Sequence, residues 1–114
     1  MDMRILKNND DIIVLQPEGS LDLCGSVRLK DCVIKLLEQK VEGIIIDLGK
    51  ITAIESAGIG ALINISSTLG KIRLPLAIIN ISEAVGNAMK AAKYAGYLPI
   101  ASGLREAVDL VKSS

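Results

Sequence analysis

Short apolar runs that alternate with stretches of helical periodicity constrain the fold of this sequence more than any other feature. Residues 12–15, 43–48 and 75–80 are of strand length and rich in β-branched side chains. The run GIIIDL at 43–48 shows no alternation of apolar and polar residues, which is the pattern of a strand covered on both faces. Strands that alternate with helices predict an α/β fold with a mixed, mostly parallel sheet.

The sheet is expected to begin with an N-terminal β-hairpin and to end with a short edge strand. Residues 3–7 are predicted to pair with 12–15, and the second of these strands is expected to stop at Pro17 and Gly19. The stretch YLPIA at 97–101 is predicted to be an edge strand, since a proline is tolerated there.

Four helices are predicted between and after these strands. In the first, residues 23–41, the face expected to lie on the sheet carries apolar residues at helical spacing. These are Leu23, Val27, Ile34, Leu37 and Val41, with Leu29, Val33 and Leu36 widening the same face. The second helix runs from Ser56 to about Gly70, and Ser82 and Ser102 are predicted N-caps of the third and fourth. No linker or repeat divides the 114 residues, so one domain over 1–114 is expected.

Composition narrows the class of partner. Thirteen basic and thirteen acidic residues leave no net charge, and Tyr94 and Tyr97 are the two aromatic residues, so a nucleic-acid partner is not expected. Neither a secretory signal nor a membrane-spanning run is recognisable, which favours a soluble cytoplasmic protein. Cys24 and Cys32 are predicted to be partly buried free thiols, and neither a metal nor a cofactor is expected. The expected partner is therefore a protein or a small ligand.

The stretch IIIDLGKITAIESAGIGALI, residues 44–63, holds the candidate functional residue, Ser56. A serine at a strand-to-helix junction is typical of a hydrolase nucleophile, but the motif G-x-S-x-G is missing and the chain has no histidine. A nucleotide site is only weakly indicated. Ile63 breaks the dinucleotide fingerprint, and Ile72 replaces the hydroxyl residue of a P-loop. We therefore expect a protein that is not an enzyme.

The position of Ser56 at the start of a helix suits a phosphoryl group. Such a group would add about two negative charges at the positive end of the helix, where Gly58 and Gly60 leave amides uncovered. Residues at helical spacing extend this position into a stripe of small and polar side chains that a partner could approach closely. The stripe consists of Ser56, Gly60, Asn64, Ser67 and Lys71, opposite Leu62, Ile65 and Leu69. The alternative is that Ser56 is an ordinary N-cap and the stripe a solvated face.

These residues resemble a known family. IIIDLGKI followed by AIESAGIGALI is similar to the STAS domain, and specifically to the bacterial anti-sigma factor antagonists, whose signature is an apolar strand ending D-L and then D-S-[SAT]-G-[LI]-G. The turn EGSLD at 18–22 resembles the G-E-L-D turn of the same family. The order of elements agrees over essentially all of the chain.

The resemblance implies a phospho-switch in transcription regulation. In the family, the serine matching Ser56 is phosphorylated by a partner that is both an anti-sigma factor and a serine kinase, and a metal-dependent phosphatase of the PP2C type reverses the reaction. The unmodified antagonist binds the kinase, and the phosphorylated form does not. Together with the stripe, this implies a partner-binding surface of Ser20, Asp22, Glu55, Gly58, Gly60, Asn64 and Ser67. For Asp22, a role as N-cap of the first helix is the alternative.

Two departures from the family pattern keep a second function open. Glu55 stands where the family usually has aspartate, and Ser20 replaces the glutamate of the turn. Ala57 fits the pattern and leaves Ser56 as the sole acceptor at the site. A relative that keeps the fold but is not phosphorylated is the alternative. It would be a scaffold subunit of a signalling or lipid-transport complex, and the sequence leaves its oligomeric state undetermined.

Overall fold

A computed structural model describes residues 2–8, 10–92, 96 and 98–113. In this part of the chain, five strands and four helices form one α/β domain, as predicted. In chain order they are β1 (Asp2–Lys7), β2 (Ile12–Leu21), α1 (Leu23–Leu36), β3 (Gly43–Asp47), β4 (Ile51–Ile54), α2 (Ser56–Lys71), β5 (Leu76–Ile79), α3 (Glu83–Ala91) and α4 (Leu104–Lys112).

The sheet is mixed and mostly parallel, with the predicted antiparallel hairpin at its edge. Its hydrogen-bonded order is β1-β2-β3-β5, and β1 is antiparallel to β2. Strands β2, β3 and β5 are mutually parallel, so that Ile45 of β3 lies between Val14 and Ala77. Strand β4 pairs with the far half of β2, also in parallel. The last two residues of that pairing decide the geometry of the functional site.

Strand β2 is longer than the sequence predicted. It does not stop at Pro17 and Gly19 but continues to Leu21. Pro17 lies between the segments of β2 that pair with β3 and with β4, so its missing amide donor interrupts neither parallel ladder. Gly19 has a positive φ of 101° next to a shift of register between Gly19 and Ser20, a conformation that glycine adopts without steric cost.

One strand was missed and one predicted strand was wrong. Strand β4 was not predicted, because the chain after β3 shows no strand-like apolar run of its own. The edge strand expected at 97–101 is reduced to an isolated parallel bridge between Ile78 and Ile100, and Tyr97 lies outside the described residues.

The sheet carries a core on each face, as the predicted double coverage of β3 requires. Successive strand residues point to opposite faces, so neighbouring isoleucines enter different clusters. The larger cluster includes Ile13, Leu15, Ile44, Ile46 and Ile78 under Leu29, Val33, Leu62, Ile65, Leu69, Val85 and Met89 of α1, α2 and α3. The smaller includes Ile12, Ile45, Ala77 and Ile79 under Ala107 and Val111 of α4.

The buried face of α1 is narrower than predicted. Leu29, Val33 and Leu36, which were expected to widen that face, are buried together with the small residues Gly25 and Ser26. Three of the eight residues that were expected to face the sheet are instead exposed, namely Leu23, Val27 and Ile34. Leu37 and Val41 lie beyond the end of α1 and are half-buried.

Of the two predicted serine caps, one is confirmed. The Ser82 hydroxyl accepts a hydrogen bond from the Val85 amide at 3.2 Å, which caps α3. The prediction for α4 was wrong, because its N-cap is Gly103. The Ser102 hydroxyl instead donates a hydrogen bond of 2.5 Å to the Glu106 carboxylate.

The two cysteines are free thiols in different environments. Cys24 is exposed, contrary to the expectation of partial burial, and Cys32 is half-buried. Burial raises the pKa of the Cys32 thiol, an effect that the nearby charges of Lys35 and Arg28 reduce. No helix within the described residues has the length and apolar character needed to cross a membrane.

Candidate functional site

The pairing of β2 with β4 places the two predicted functional loops side by side. Ser20 of β2 is opposite Ala53 of β4, and Leu21 is opposite Ile54. Asp22 follows β2 and Glu55 follows β4, so both residues leave the sheet at the same edge. Each segment then begins a helix, α1 or α2, on the same face of the sheet. Residues that are far apart in sequence therefore share one surface at the carboxyl ends of parallel strands.

Asp22 is the N-cap of α1. Its Oδ1 accepts a hydrogen bond from the Gly25 amide at 2.8 Å, and its backbone carbonyl accepts from the Ser26 amide at 2.8 Å. The capping role proposed as the alternative is therefore present. The side chain remains partly exposed beside Ser20, which is exposed, so capping leaves part of Asp22 accessible at the surface.

Ser56 is the first residue of α2, and the N-cap is Glu55. The interpretation of Ser56 as an N-cap was wrong, because the Glu55 carbonyl begins the helix by accepting from the Gly58 amide at 2.9 Å and the Ile59 amide at 3.1 Å. The Glu55 side chain makes no capping hydrogen bond. Glu55 and Ser56 are both exposed. The hydroxyl of Ser56 is therefore accessible at a helix N-terminus that no side chain caps.

Gly58 lies beneath this surface and is buried. A Cβ at this position would be 2.4 Å from the Leu21 carbonyl oxygen and 2.9 Å from Cγ atoms of Leu21 and Ile54. These distances are too short for any residue with a side chain, and the nearest atom is backbone. Gly58 therefore lets the first turn of α2 pack directly on the end of β2.

The small and polar stripe of α2 faces solvent as predicted. Its members after Ser56 are exposed, and the residues on the opposite side of the helix are buried in the larger core. The exposed members are Gly60, Asn64, Ser67 and Lys71, and the buried ones are Leu62, Ile65 and Leu69. A Cβ at Gly60 would meet no atom within 4 Å, so this part of the stripe is open.

The charges around Ser56 are uncompensated acidic ones. Within the described residues, neither Asp22 nor Glu55 forms an ion pair. The three ion pairs found there join Asp10 or Asp11 to lysines, at the opposite end of the strands. A further negative charge at Ser56 would therefore meet two carboxylates that no described cation neutralises.

A third carboxylate, that of Asp47, supports the edge of the sheet from which the site projects. Its Oδ1 accepts from the Gly49 amide at 2.8 Å and from Asn80 Nδ2 at 3.0 Å, and its Oδ2 accepts from Gln16 Nε2 at 3.0 Å. Asp47 thus joins β2, the end of β5 and the turn that leads into β4. In the sequence, Asp47 stands out only as part of the D-L pair of the family signature.

Sequence reasoning missed the exposed side of α1. Leu23, Val27 and Ile34 form an apolar stripe there, because the helix buries its other face. A groove between α1 and α2 is lined by Lys30, Ile34 and Leu37 on one side and by Asn64 and Thr68 on the other. The signal in the sequence was the pair of buried small residues, Gly25 and Ser26, which a count of apolar residues does not register.

Catalysis at Ser56 would need a basic side chain or a metal ion beside the hydroxyl. No hydrogen bond joins the Ser56 hydroxyl to a basic side chain there. In the same part of the chain, no group of three or more Cys, Asp or Glu side chains could hold a metal ion. Ser56 is exposed at the start of α2.

The family follows from the match to the model of the STAS domain, which covers residues 4–107. The chain belongs to the STAS family. The resemblance seen in the strand, the E-S-A-G-I-G turn and the order of elements is therefore confirmed. No curated protein is similar enough in sequence to be matched.

Solved structures share the STAS fold with this chain at low sequence identity. A serine-to-glutamate variant of RsbS from Moorella thermoacetica has a TM-score of 0.79 at 22% identity, covering 99% of this chain and 97% of that one. The anti-sigma factor antagonist SpoIIAA in its unphosphorylated form has a TM-score of 0.78 at 17% identity, with 99% and 98% covered. The murine anion transporter Slc26a9 has a TM-score of 0.77 at 19% identity, with 91% of this chain but 18% of the transporter covered.

Proposed function

We propose that this STAS protein is an anti-sigma factor antagonist, a phospho-switch that acts in the cytoplasm without catalysing a reaction. Unmodified, it binds a protein that is both an anti-sigma factor and a serine kinase. Phosphorylation of Ser56 releases it, and a phosphatase of the PP2C type restores the binding form. The observation that carries the proposal is the exposed Ser56 at the start of α2, directly after Glu55 and at the sheet edge where Asp22 also leaves β2.

The surroundings of Ser56 favour a switch that changes the surface and spares the fold. The first turn of α2 is fixed by backbone contacts to Glu55 and Leu21, in which the serine side chain has no part. A phosphoryl group would bring about two negative charges to the positive end of the helix, which can accommodate them. Beside the unpaired Asp22 and Glu55, the same charges would repel an acidic partner surface and would be costly to bury under any partner.

The names of two structural neighbours agree with this proposal. SpoIIAA is described as an anti-sigma factor antagonist with an unphosphorylated form, and RsbS was solved with glutamate in place of a serine. Their low identity to this chain gives the shared fold, so the role of Ser56 is argued from its own geometry.

Phosphoryl transfer by the cognate kinase tests the proposal. With ATP, the kinase should add one phosphate to the wild-type chain and none to Ser56→Ala. Ser113→Ala is the matched control, since Ser113 is an exposed serine outside the partner-binding surface and its loss should leave the phosphate in place. Intact-mass and peptide mass spectrometry locate the group, and a phosphate on any other residue refutes the assignment.

A scaffold role is the second candidate, favoured by the occurrence of this fold in an anion transporter. Such a subunit of a signalling or transport complex would not depend on the charge at Ser56. Calorimetry separates the two functions: a scaffold binds its partner equally well as Ser56→Ala and Ser56→Asp, whereas the switch binds only as Ser56→Ala.

A further inference from the structure

The exposed side of α1 carries three large aliphatic side chains. Leu23 is 69% exposed, Val27 51% and Ile34 56%. At 100° per residue these three positions fall within about 40° of one another around the helix axis. They form one continuous stripe, and clustered apolar residues at a surface, unlike single ones, indicate an interaction site. We refer to them as the α1 apolar stripe.

The α1 apolar stripe is continuous with the surface around Ser56. Leu23 directly follows Asp22, the residue that the β2–β4 pairing places next to Glu55. Further along, Ile34 lines the groove whose other wall includes Asn64 of the α2 stripe. A partner that covers Ser56 and the α2 stripe therefore reaches the α1 apolar stripe across this groove.

Lys30 places a positive charge within this stripe. It falls in the same arc of the helix as Leu23 and Ile34, and it lines the groove. Lys30 is in none of the ion pairs of the described residues. A partner that buries this ammonium group has to offer it a carboxylate, because an unpaired buried charge is strongly destabilising.

The size of the stripe argues against a dimer formed through α1 alone. A stable interface uses about 20–30 residues on each side, and three aliphatic side chains with one lysine are a small part of that number. The stripe suits an apolar anchor within a larger surface, and the surface that adjoins it contains Ser56.

We propose that the α1 apolar stripe and Lys30 are the anchoring half of the docking surface, whose other half is the switch at Ser56; this rests on the function proposed above. The partner, the serine kinase, contributes an apolar patch against Leu23, Val27 and Ile34 and a carboxylate against Lys30. The anchor contributes affinity that does not depend on phosphorylation, and the serine decides whether the complex persists.

Binding of the purified kinase that phosphorylates Ser56 tests whether the α1 apolar stripe supplies affinity while Ser56 controls release. The double variant Val27→Ser with Ile34→Ser and the single variant Lys30→Glu should each weaken binding about tenfold or more, since both remove contacts expected at the centre of the interface. Leu104→Ser is the matched control, because Leu104 is 52% exposed on α4, on the opposite face of the sheet. Its Kd should equal that of the wild type, and urea unfolding should show that all variants are folded.

The results distinguish this inference from the proposed function. If Ser56→Asp abolishes binding while both α1 variants bind like the wild type, the anchor is refuted and the switch stands. If the wild type does not bind the kinase at all, both fail. If the wild type is a dimer in sedimentation and the α1 double variant a monomer, the stripe belongs to a second copy of the chain and the heterologous anchor is refuted.

Discussion

The backbone amide of Glu55 donates a hydrogen bond of 3.1 Å to the carbonyl oxygen of Leu21, which joins the start of α2 to the end of β2. The first turn of α2 packs on the same oxygen through Gly58, whose absent Cβ would lie 2.4 Å away. The position of Ser56 is therefore set by the backbones of two parallel strands and by one glycine. Side chains at the surface remain free to change charge or to meet a partner.

The close approach at Gly58 predicts that alanine variants of Gly58 and Gly60 have opposite effects on stability. Gly58→Ala should lower the free energy of unfolding by about 3 kcal/mol, because the added methyl group overlaps a carbonyl that cannot move without disturbing β2. Gly60→Ala should raise it by about 0.5–1 kcal/mol, since the site is open and alanine favours the helix. Urea unfolding followed by circular dichroism measures both. Equal effects of the two variants would contradict the packing described for Gly58.

The two acidic residues that begin the helices should differ in their contribution to stability. Asp22→Ala should cost about 1 kcal/mol, because the carboxylate caps α1 through the Gly25 amide. Glu55→Ala should change the free energy of unfolding by less than about 0.5 kcal/mol, since the Glu55 side chain makes no cap. Thermal and urea unfolding of the two variants provide the comparison. A loss at Glu55 as large as that at Asp22 would show that both carboxylates serve the fold.

The sequence predicted the fold class because its strongest patterns are those of buried strands. Residues 43–48 identify a doubly covered strand without any knowledge of its neighbours. Strand β4 could not be found in this way, because it buries Ile51, half-buries Ile54 and exposes the two residues between them. It exists because the end of β2 offers it a backbone to pair with, and that long-range contact is not encoded in local periodicity.

Helix α1 illustrates a second limit of periodicity. Its apolar residues surround most of the helix, so two different faces satisfy helical spacing. One face carries Leu23, Val27 and Ile34, and the other carries Leu29, Val33 and Leu36. Packing against the sheet and α2 selected the face that also carries Gly25 and Ser26, where small residues permit close approach. Ser56, by contrast, could be identified from the sequence, because a polar residue between a strand and a glycine-containing helix start is a local feature.

The three-way contact of Asp47 predicts that the turn into β4 depends on one carboxylate. Asp47→Asn should cost about 1 kcal/mol, because a neutral amide is a weaker acceptor than a carboxylate for Gly49 and Asn80, and its Nδ2 meets Gln16 Nε2 unless the Gln16 amide turns over. Gln16→Glu alone should also destabilise, by placing two carboxylates in contact. Combined, the two changes exchange donor and acceptor, so the double variant should recover part of the loss. A double-mutant cycle in urea measures this coupling, and strictly additive losses would argue against a direct hydrogen bond.

The different surroundings of the two thiols predict selective labelling on α1. Cys24 is exposed, whereas burial raises the pKa of Cys32 and keeps it in the thiol form, which is a poor nucleophile. Iodoacetamide at pH 8 should therefore alkylate Cys24 severalfold faster than Cys32 in the folded protein. In urea the two rates should become similar, since unfolding exposes Cys32 and restores its ordinary pKa. Peptide mass spectrometry of timed samples measures both rates, and preferential reaction of Cys32 in the folded state would contradict the packing of α1 described above.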